Sequence, residues 1–475
     1  MKRDQPVLIQ GGMGVAISDW RLARAVSKEG HLGVVSGTAL DAVLARRLQL
    51  GDPGGHMRRA LSEFPVPDVA DRILTRYFLD DGKQADQSFR QTPMKRDKPS
   101  QNLQGLLVAA NFVEVYLAKE GHHGPVGINF LEKIQAPTLP SLYGAMLAGV
   151  DYVLMGAGIP RAIPAILDSL ADGLPVEMKL DVKDATEEDV FRTRFDPTRV
   201  MNGGGTVVKR PAFLAIVSSH VLATMLARRI DTPVDGFVVE FPTAGGHNAP
   251  PRGKLKVNEE GEPIYGDRDI PDLSAIRELG LPFWLAGGYA DPDRVREALD
   301  SGAAGVQVGT AFAYCEESGL DADLKRQVLE LSRQAQARIF TDPVGSPTGF
   351  PFKVVQLEGT LSDSDVYEDR TRVCELGYLR TAYRKDDGKI GWRCPAEPVA
   401  DYVRKGGDAE DTPNRKCLCS ALMANVGLGQ IQRDGAREPT LITSGDDVAD
   451  VARFLPSGAD SYKAADVIRH LLPDG

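Results

Sequence analysis

The feature that most constrains the fold of this chain is an alternation that runs from about residue 7 to residue 310. Short apolar runs rich in β-branched residues take turns with stretches of helical periodicity. Val7-Leu-Ile-Gln-Gly-Gly-Met-Gly14 reads as a strand running into glycines. Ser18 or Asp19 can then cap a helix carrying Trp20, Leu22, Ala23 and Val26, and Leu32-Gly-Val-Val-Ser36 is the next strand. Strand, helix and strand within about thirty residues make a βαβ unit, and therefore a parallel pair. Further strand candidates lie at 126–130, 152–156, 176–182, 212–217, 237–241, 283–288 and 305–310. That is one more than an eight-stranded parallel barrel needs, so either 176–182 or 212–217 belongs to an insertion. The second leads directly into a helix and the following strand, and it is the better barrel strand. Alternating βα units favour a closed barrel or an open doubly wound sheet. The candidate functional residues fall just after strands in both halves of the series and could share one site at the C-terminal mouth of a barrel.

At 475 residues the chain exceeds one ordinary domain. The expected division is a barrel over 1–355, with insertions at about 40–103 and 183–211, and a cysteine-containing C-terminal extension over 356–475. The first insertion is charged and proline-bearing, with helical pieces around 42–50 and 69–78, and reads as a lid or an oligomer contact. Its basic run at 90–99 reads as solvated surface without chemistry. The second insertion contains Gly203-Gly-Gly205. A net charge of -10 gives no electrostatic reason to expect nucleic acid as a partner. No apolar run approaches the ~20 residues that would span a bilayer. The start, Met1-Lys-Arg-Asp4, leads straight into a strand-like run without a signal-peptide core, so a cytoplasmic location is expected. Five cysteines, an odd number, do not suggest a secreted disulfide framework.

Three places could carry chemistry. Phe237-Val-Val-Glu-Phe-Pro-Thr-Ala-Gly-Gly-His247 is a buried strand opening into a loop where Gly245 and Gly246 bare the backbone before His247. Glycine allows close approach to a flat ligand, and histidine can exchange a proton near neutral pH. The plainer reading is a turn with a solvated histidine. Gly287-Gly288 precedes a helix capped by Asp291 with Pro292 at its first position, and Gln307-Val-Gly-Thr310 follows one strand later. Two such turns on adjacent strands can present N–H groups to a phosphate, although one Gly-Gly pair alone is commonly steric in origin. Asn129, at a strand end, could bond a polar ring edge or simply fill a turn.

In these motifs the chain resembles the nitronate monooxygenase family, formerly called 2-nitropropane dioxygenases, which is related to FMN-dependent enoyl-acyl-carrier-protein reductases. The resemblance rests on Ile9-Gln-Gly-Gly-Met-Gly14, Leu32-Gly-Val-Val-Ser36, Val126-Gly-Ile-Asn-Phe130, Ala244-Gly-Gly-His247, Leu285-Ala-Gly-Gly288 and Val306-Gln-Val-Gly-Thr-Ala-Phe312, with Ser346-Pro-Thr-Gly-Phe-Pro-Phe352 beyond them. It implies an α/β fold, a (β/α)8 TIM barrel with insertions and a C-terminal extension, and FMN at its C-terminal mouth. Gly11, Gly12 and Met13 would lie beside the flavin, Asn129 on its ring edge, and Gly245 and Gly246 against it. Gly287, Gly288, Gly309 and Thr310 would hold the phosphate, with Gln307 nearby. His247 falls on the family's catalytic histidine and would assist proton transfer, with O2 as co-substrate and a carbonyl compound and nitrite as products.

The chain also departs from the family. Its loop continues past the histidine as Asn248-Ala-Pro-Pro-Arg-Gly253, where Asn248 and Arg252 could meet an anionic substrate group or simply face solvent. The family has a lysine near the flavin; the strand 212–217 offers none, whereas 176–182 offers Lys179. Either Lys179 reaches the flavin and the strand choice is wrong, or another group replaces it. His220 reads as a helix-start residue. The alternatives to a nitronate monooxygenase are an enoyl-thioester reductase using NAD(P)H and a non-catalytic flavin- or metal-binding protein, and a homo-oligomer is compatible with each. The extension holds Cys374, Cys394, Cys417 and Cys419. Four thiolates could make a tetrahedral zinc site or hold an iron–sulfur cluster, against the plainer reading of reduced structural cysteines.

Overall fold

Eight parallel strands close into a barrel, in chain order around the ring. They are Leu8–Gln10, Leu32–Ser36, Val126–Leu131, Tyr152–Gly156, Ala212–Val217, Gly236–Glu240, Phe283–Ala286 and Gly305–Val308. The first pairs with the eighth in the register Ile9 to Gln307, which shuts the ring. This computed structural model describes residues 5–473 except 202, 204, 205 and 433. Residues 1–4, where the expectation of a start without a signal peptide begins, and most of the Gly203-Gly-Gly205 run lie outside the described residues. Inside the barrel Ile9, Val34, Leu154, Leu214, Val238 and Trp284 make a small apolar core. Trp284 donates its indole N–H to the Pro6 carbonyl at 2.7 Å, so this polar atom of the plug is satisfied at the N-terminal end of the ring.

The helix capped by Asp19, Trp20–Lys28, buries Trp20, Leu22, Ala23 and Val26 as the spacing predicts. Asp291 caps Pro292–Asp300, also as expected. The insertion after the second strand forms Leu40–Gln49, His56–Ser62 and Pro67–Tyr77. Their apolar faces join the main core through Val43, Leu48 and Ile73, so this segment packs into the body of the protein.

Of the two competing strands, Ala212–Val217 is in the barrel, pairing with Tyr152–Gly156 and Gly236–Glu240. Val176–Lys179 instead turns back as an antiparallel hairpin with Arg192–Phe195. The excursion therefore starts at Val176, not at 183. Its alternating burial, two residues in and two out, is that of a strand with one wet face, which a barrel interior does not allow.

The extension is not a poorly cored appendage. Leu441, Ile442, Val448, Val451, Phe454 and Tyr462 are buried. The last helix, Ala464–Leu471, packs on Trp20–Lys28. Most of these apolar residues sit in loops and single turns, so no period in the sequence announces them. Charged groups fasten the extension to the first insertion. Arg46 pairs with Glu375 at 3.0 Å, the two side chains being 3% and 1% exposed. Arg46 also donates to the Leu428 carbonyl at 2.6 Å. Lys95 pairs with Asp41 at 2.7 Å, and Tyr378 donates its hydroxyl to Asp41.

Removing one member of a buried pair leaves a charge without a partner, which costs about 3–5 kcal/mol. Arg46→Met should lower the free energy of unfolding, taken from urea titration, by that order. The double variant Arg46→Met/Glu375→Leu should recover most of the loss in the same assay.

Candidate active site

Strand ends and the loops after them surround a cavity at the C-terminal mouth, part of it open to solvent. Its floor begins at the first turn. Gln10, fully buried, donates to Ser18 Oγ at 2.9 Å and accepts from the Val34 N–H at 3.0 Å. Ser18 Oγ donates to the Gly11 carbonyl and accepts from the Met13 N–H, each at 3.0 Å. Ser36 donates to the Gly14 carbonyl at 2.6 Å. The turn is therefore held before any ligand arrives. At Gly12 a Cβ would fall 2.4 Å from the Asn129 Cβ, so only glycine lets the turn lie flat against that asparagine.

On the opposite side Gly287 and Gly288 adopt φ of +96° and +74°, the left-handed region that favours glycine. A Cβ on Gly287 would lie 2.9 Å from Thr243 Oγ1. Gly309 and Thr310 complete this wall. Gln307 faces the cavity with a buried Oε1 that has no hydrogen-bond partner among the described residues. A buried acceptor without a donor, bare backbone on two turns and a hydroxyl at Thr310 fit a ligand with ring N–H groups and a phosphate. Among the described residues no lysine or arginine lines this cavity, so backbone N–H and hydroxyl groups would hold that phosphate.

His247 follows the strand Gly236–Glu240, as the spacing suggests. Its Nε2 lies 2.7 Å from Ser346 Oγ, and its ring stands edge-on to Phe352 with centroids 4.7 Å apart. Ser346 is fully buried and also bonds Thr348 Oγ1 at 2.8 Å. Burial pushes the imidazole pKa down to about 4, which keeps it neutral and able to accept a proton at pH 7. The solvated-histidine reading is thereby replaced by a ring clamped at the cavity wall.

The structure gathers Gly11, Gly12, Met13, Asn129, Gly245 and Gly246 around one cavity, with His247, Gly287, Gly288, Gln307, Gly309 and Thr310. It does not bring Lys179 there. That residue lies exposed on the outer hairpin, opposite Arg192, so the flavin role expected of it is corrected. Asn248 is buried, donating to the Ala244 carbonyl at 3.0 Å, and lines a small neighbouring cavity with Arg252. Arg252 is exposed and away from the main cavity, so its anion clamp is not formed at the mouth. His220 opens a helix capped by Ser219, as read.

Two groups escaped the sequence reading. Glu240 ends the sixth barrel strand and lines the main cavity. Burial pushes its carboxyl up to about 7. A carboxylate inside the apolar run Phe237-Val-Val-Glu240 was the available signal. The other is the segment Thr443-Ser444-Gly445 of the extension, which forms part of the mouth. Gly246 donates its N–H to Thr443 Oγ1 at 3.0 Å, and Gly445 donates to Thr310 Oγ1 at 2.9 Å. Ser444 Oγ shares a 2.7 Å bond with the Tyr314 hydroxyl. Leu379, Leu418, Leu422 and Ile442, all from the extension, give the cavity an apolar side. Cys374, Cys394, Cys417 and Cys419 line a second, smaller cavity behind it. Among the described residues no three or more His, Cys, Asp or Glu side chains meet closely enough for one metal ion. The expected tetrahedral zinc cage is therefore not formed. No helix among the described residues is long and apolar enough to cross a membrane.

Residues 169–347 match the family described as nitronate monooxygenase. The nitronate monooxygenase of Pseudomonas aeruginosa is 37% identical over 122 residues, which are 25% of this chain and 32% of that protein. The chain thus spans about a third of that curated relative. A (3aS,4S,5R,7aS)-5-hydroxy-7a-methyl-1-oxo-octahydro-1H-indene-4-carboxyl-CoA dehydrogenase of Mycobacterium tuberculosis is 24% identical over 260 residues, covering 54% of this chain and 66% of that one. The solved structure of FabK from Thermotoga maritima aligns over 99% of this chain and 92% of its own at 15% identity, with a TM-score of 0.47.

The two shifted groups pull stability in opposite directions with pH. Glu240, raised to about 7, binds a proton in the folded state over a range where the unfolded chain has lost it, so its contribution falls as pH rises from about 4.5 to about 7. His247, lowered to about 4, does the reverse: its contribution rises with pH from about 4 to about 6.5. Glu240→Gln should leave the histidine contribution unopposed. Urea unfolding of that variant should show stability rising from pH 4.5 to 6.5 more steeply than in the wild type.

Proposed function

We propose that this chain, a member of the nitronate monooxygenase family, is an FMN-dependent oxidoreductase that oxidises alkyl nitronates with O2 to carbonyl compounds and nitrite. The observation that carries this reading is His247, neutral and clamped by Ser346 and Phe352, on the wall of a cavity whose other sides are bare glycine turns. FMN bound there supplies the two-electron acceptor and the centre that meets O2.

Everything else is the work of the chain. Gly11 to Met13 and Asn129 give the ring a flat seat, and the orphaned Gln307 carbonyl oxygen accepts from its polar edge. Gly287, Gly288, Gly309 and Thr310 receive the phosphate through N–H and O–H donors. His247, whose imidazole is kept neutral by burial, takes the proton from the carbon next to the nitro group. Glu240, half-protonated near pH 7, limits the negative charge that the cavity presents to an anionic substrate.

A second reading, reduction of enoyl thioesters, is favoured by one observation. The cavity has no lysine or arginine on its wall among the described residues, and the extension gives it an apolar side. A neutral, apolar acyl group suits such a wall better than a small anion does. The relative that acts on a CoA thioester points the same way.

Oxygen uptake and nitrite release with alkyl nitronates, set against NAD(P)H oxidation with enoyl thioesters, separate the two; turnover only with the thioesters would sink the first. His247→Ala should lower kcat/KM on a neutral nitroalkane by about 10²–10⁴-fold. The same variant should lose far less on the pre-formed nitronate, which has already given up its proton. In the wild type kcat/KM on nitronates should fall above pH ~7 by up to about tenfold per unit as Glu240 ionises, and Glu240→Gln should remove that limb.

A further inference from the structure

The four cysteines of the extension have no part in the proposed reaction, yet they are brought together. Cys374 follows the helix Ser364–Asp369, Cys394 follows the strand Ile390–Arg393, and Cys417 and Cys419 flank the start of the helix Leu418–Ala424. Three separate segments thus deliver thiols to the wall of one small cavity. Cys394 and Cys417 pack in one buried cluster with Cys419 against it, and no disulfide joins any of them.

The spacing separates the candidate occupants. Around one zinc ion, Zn–S bonds of about 2.3 Å hold the sulfurs at about 3.8 Å from each other. Among the described residues no such gathering of three or more ligands exists. A cubane iron–sulfur cluster takes one thiolate at each of its four iron corners, so its ligands come from around the rim of a cavity, and these four cysteines line one.

The charges provide a second, independent observation. Arg380 lines the same cavity. Its guanidinium donates only to the carbonyls of Gly377 and Lys95, at 3.1 and 2.7 Å, and makes no ion pair among the described residues. Glu375 and Glu397 also line the cavity, but each is matched by its own cation: Arg46 at 3.0 Å and Lys405 at 2.6 Å. One arginine is thus left without a counter-charge. A half-buried cation facing four thiols calls for an anionic occupant. A cubane core of charge +2 with four thiolates carries a net -2.

We propose that Cys374, Cys394, Cys417 and Cys419 bind a cubane iron–sulfur cluster whose negative charge is met by Arg380. Each thiol gives up its proton and forms one Fe–S bond. Cys419, Leu379 and Leu418 belong to the walls of both cavities, which seats the cluster directly behind the flavin pocket.

The test uses the full chain purified without oxygen, or reconstituted with ferrous iron and sulfide and then desalted. Iron and acid-labile sulfide should each reach about four per chain. Cys374→Ser and Cys394→Ser, whose side chains do not line the flavin pocket, should each lose most of the iron while keeping bound FMN and an unfolding temperature close to that of the wild type. If a variant fails to fold, the iron and sulfide content of the wild type still decides the question. One zinc per chain, an iron content near zero, or iron retained in both folded variants would overturn the assignment. Because iron and sulfide are measured chemically on protein stripped of FMN as well, the outcome is independent of the flavin reading.

Discussion

The mouth of this barrel depends on a contact between two backbones. The loop after the sixth strand and a segment almost two hundred residues later lie against each other through Gly245 and Gly445. A Cβ on Gly245 would come within 2.6 Å of the Gly445 nitrogen, and one on Gly445 within 2.8 Å of the Thr243 carbonyl. The Asp446 N–H donates to that same carbonyl at 3.1 Å, while Lys353 reaches Asp446 at 2.6 Å. His247, Thr310 and the apolar side of the cavity are all positioned around this contact. With a side chain at either glycine, the two loops would stand apart and the cavity would lose a wall.

The pocket solves its electrostatics in an unusual way. It is lined by Glu240, Asp447 and His247, without a lysine or arginine among the described residues, and it handles them by desolvation rather than by pairing. Burial raises Glu240 and Asp447 and lowers His247, so each moves towards its neutral form. A site made neutral in this way imposes little charge preference on what enters. The nitronate and thioester readings consequently differ less in geometry than in the charge each asks the wall to accept.

Much of the barrel was legible because its signals are local. A buried parallel strand is a short apolar run, and Asp19 and Asp291 mark helix starts through their own side chains. The glycine turns were readable for the same reason, since each requires a missing side chain within a few residues. The choice of 212–217 over 176–182 was also readable, from the helix that follows it. Lys179 misled because a family pattern was carried onto a strand that alternates wet and dry faces, in and out of solvent at every step. Glu240 was missed although the apolar run Phe237-Val-Val before it marks a buried strand end, because its raised pKa follows from burial at the cavity and not from a motif. The extension was least legible of all. Ile442, Val448 and Phe454 are core residues set in loops and single turns, and their partners lie on distant helices. The four cysteines could be named but not arranged, since their spacing in the chain says nothing about three segments meeting at one cavity.

The pocket that Gly11 and Gly445 both line has a temporal side. Residues that line it come from both ends of the chain, and the last of them is Asp447. A chain emerging from the ribosome can pair its eight strands once Val308 is out, yet at that moment the pocket still lacks the walls contributed by residues from Gly309 to Asp447. More than a hundred further residues must follow before the loop after the sixth strand meets its partner. Completion of the pocket is thereby placed after the barrel is made. A chain cut short before Thr443 would lack the segment that meets Gly246 and Thr310.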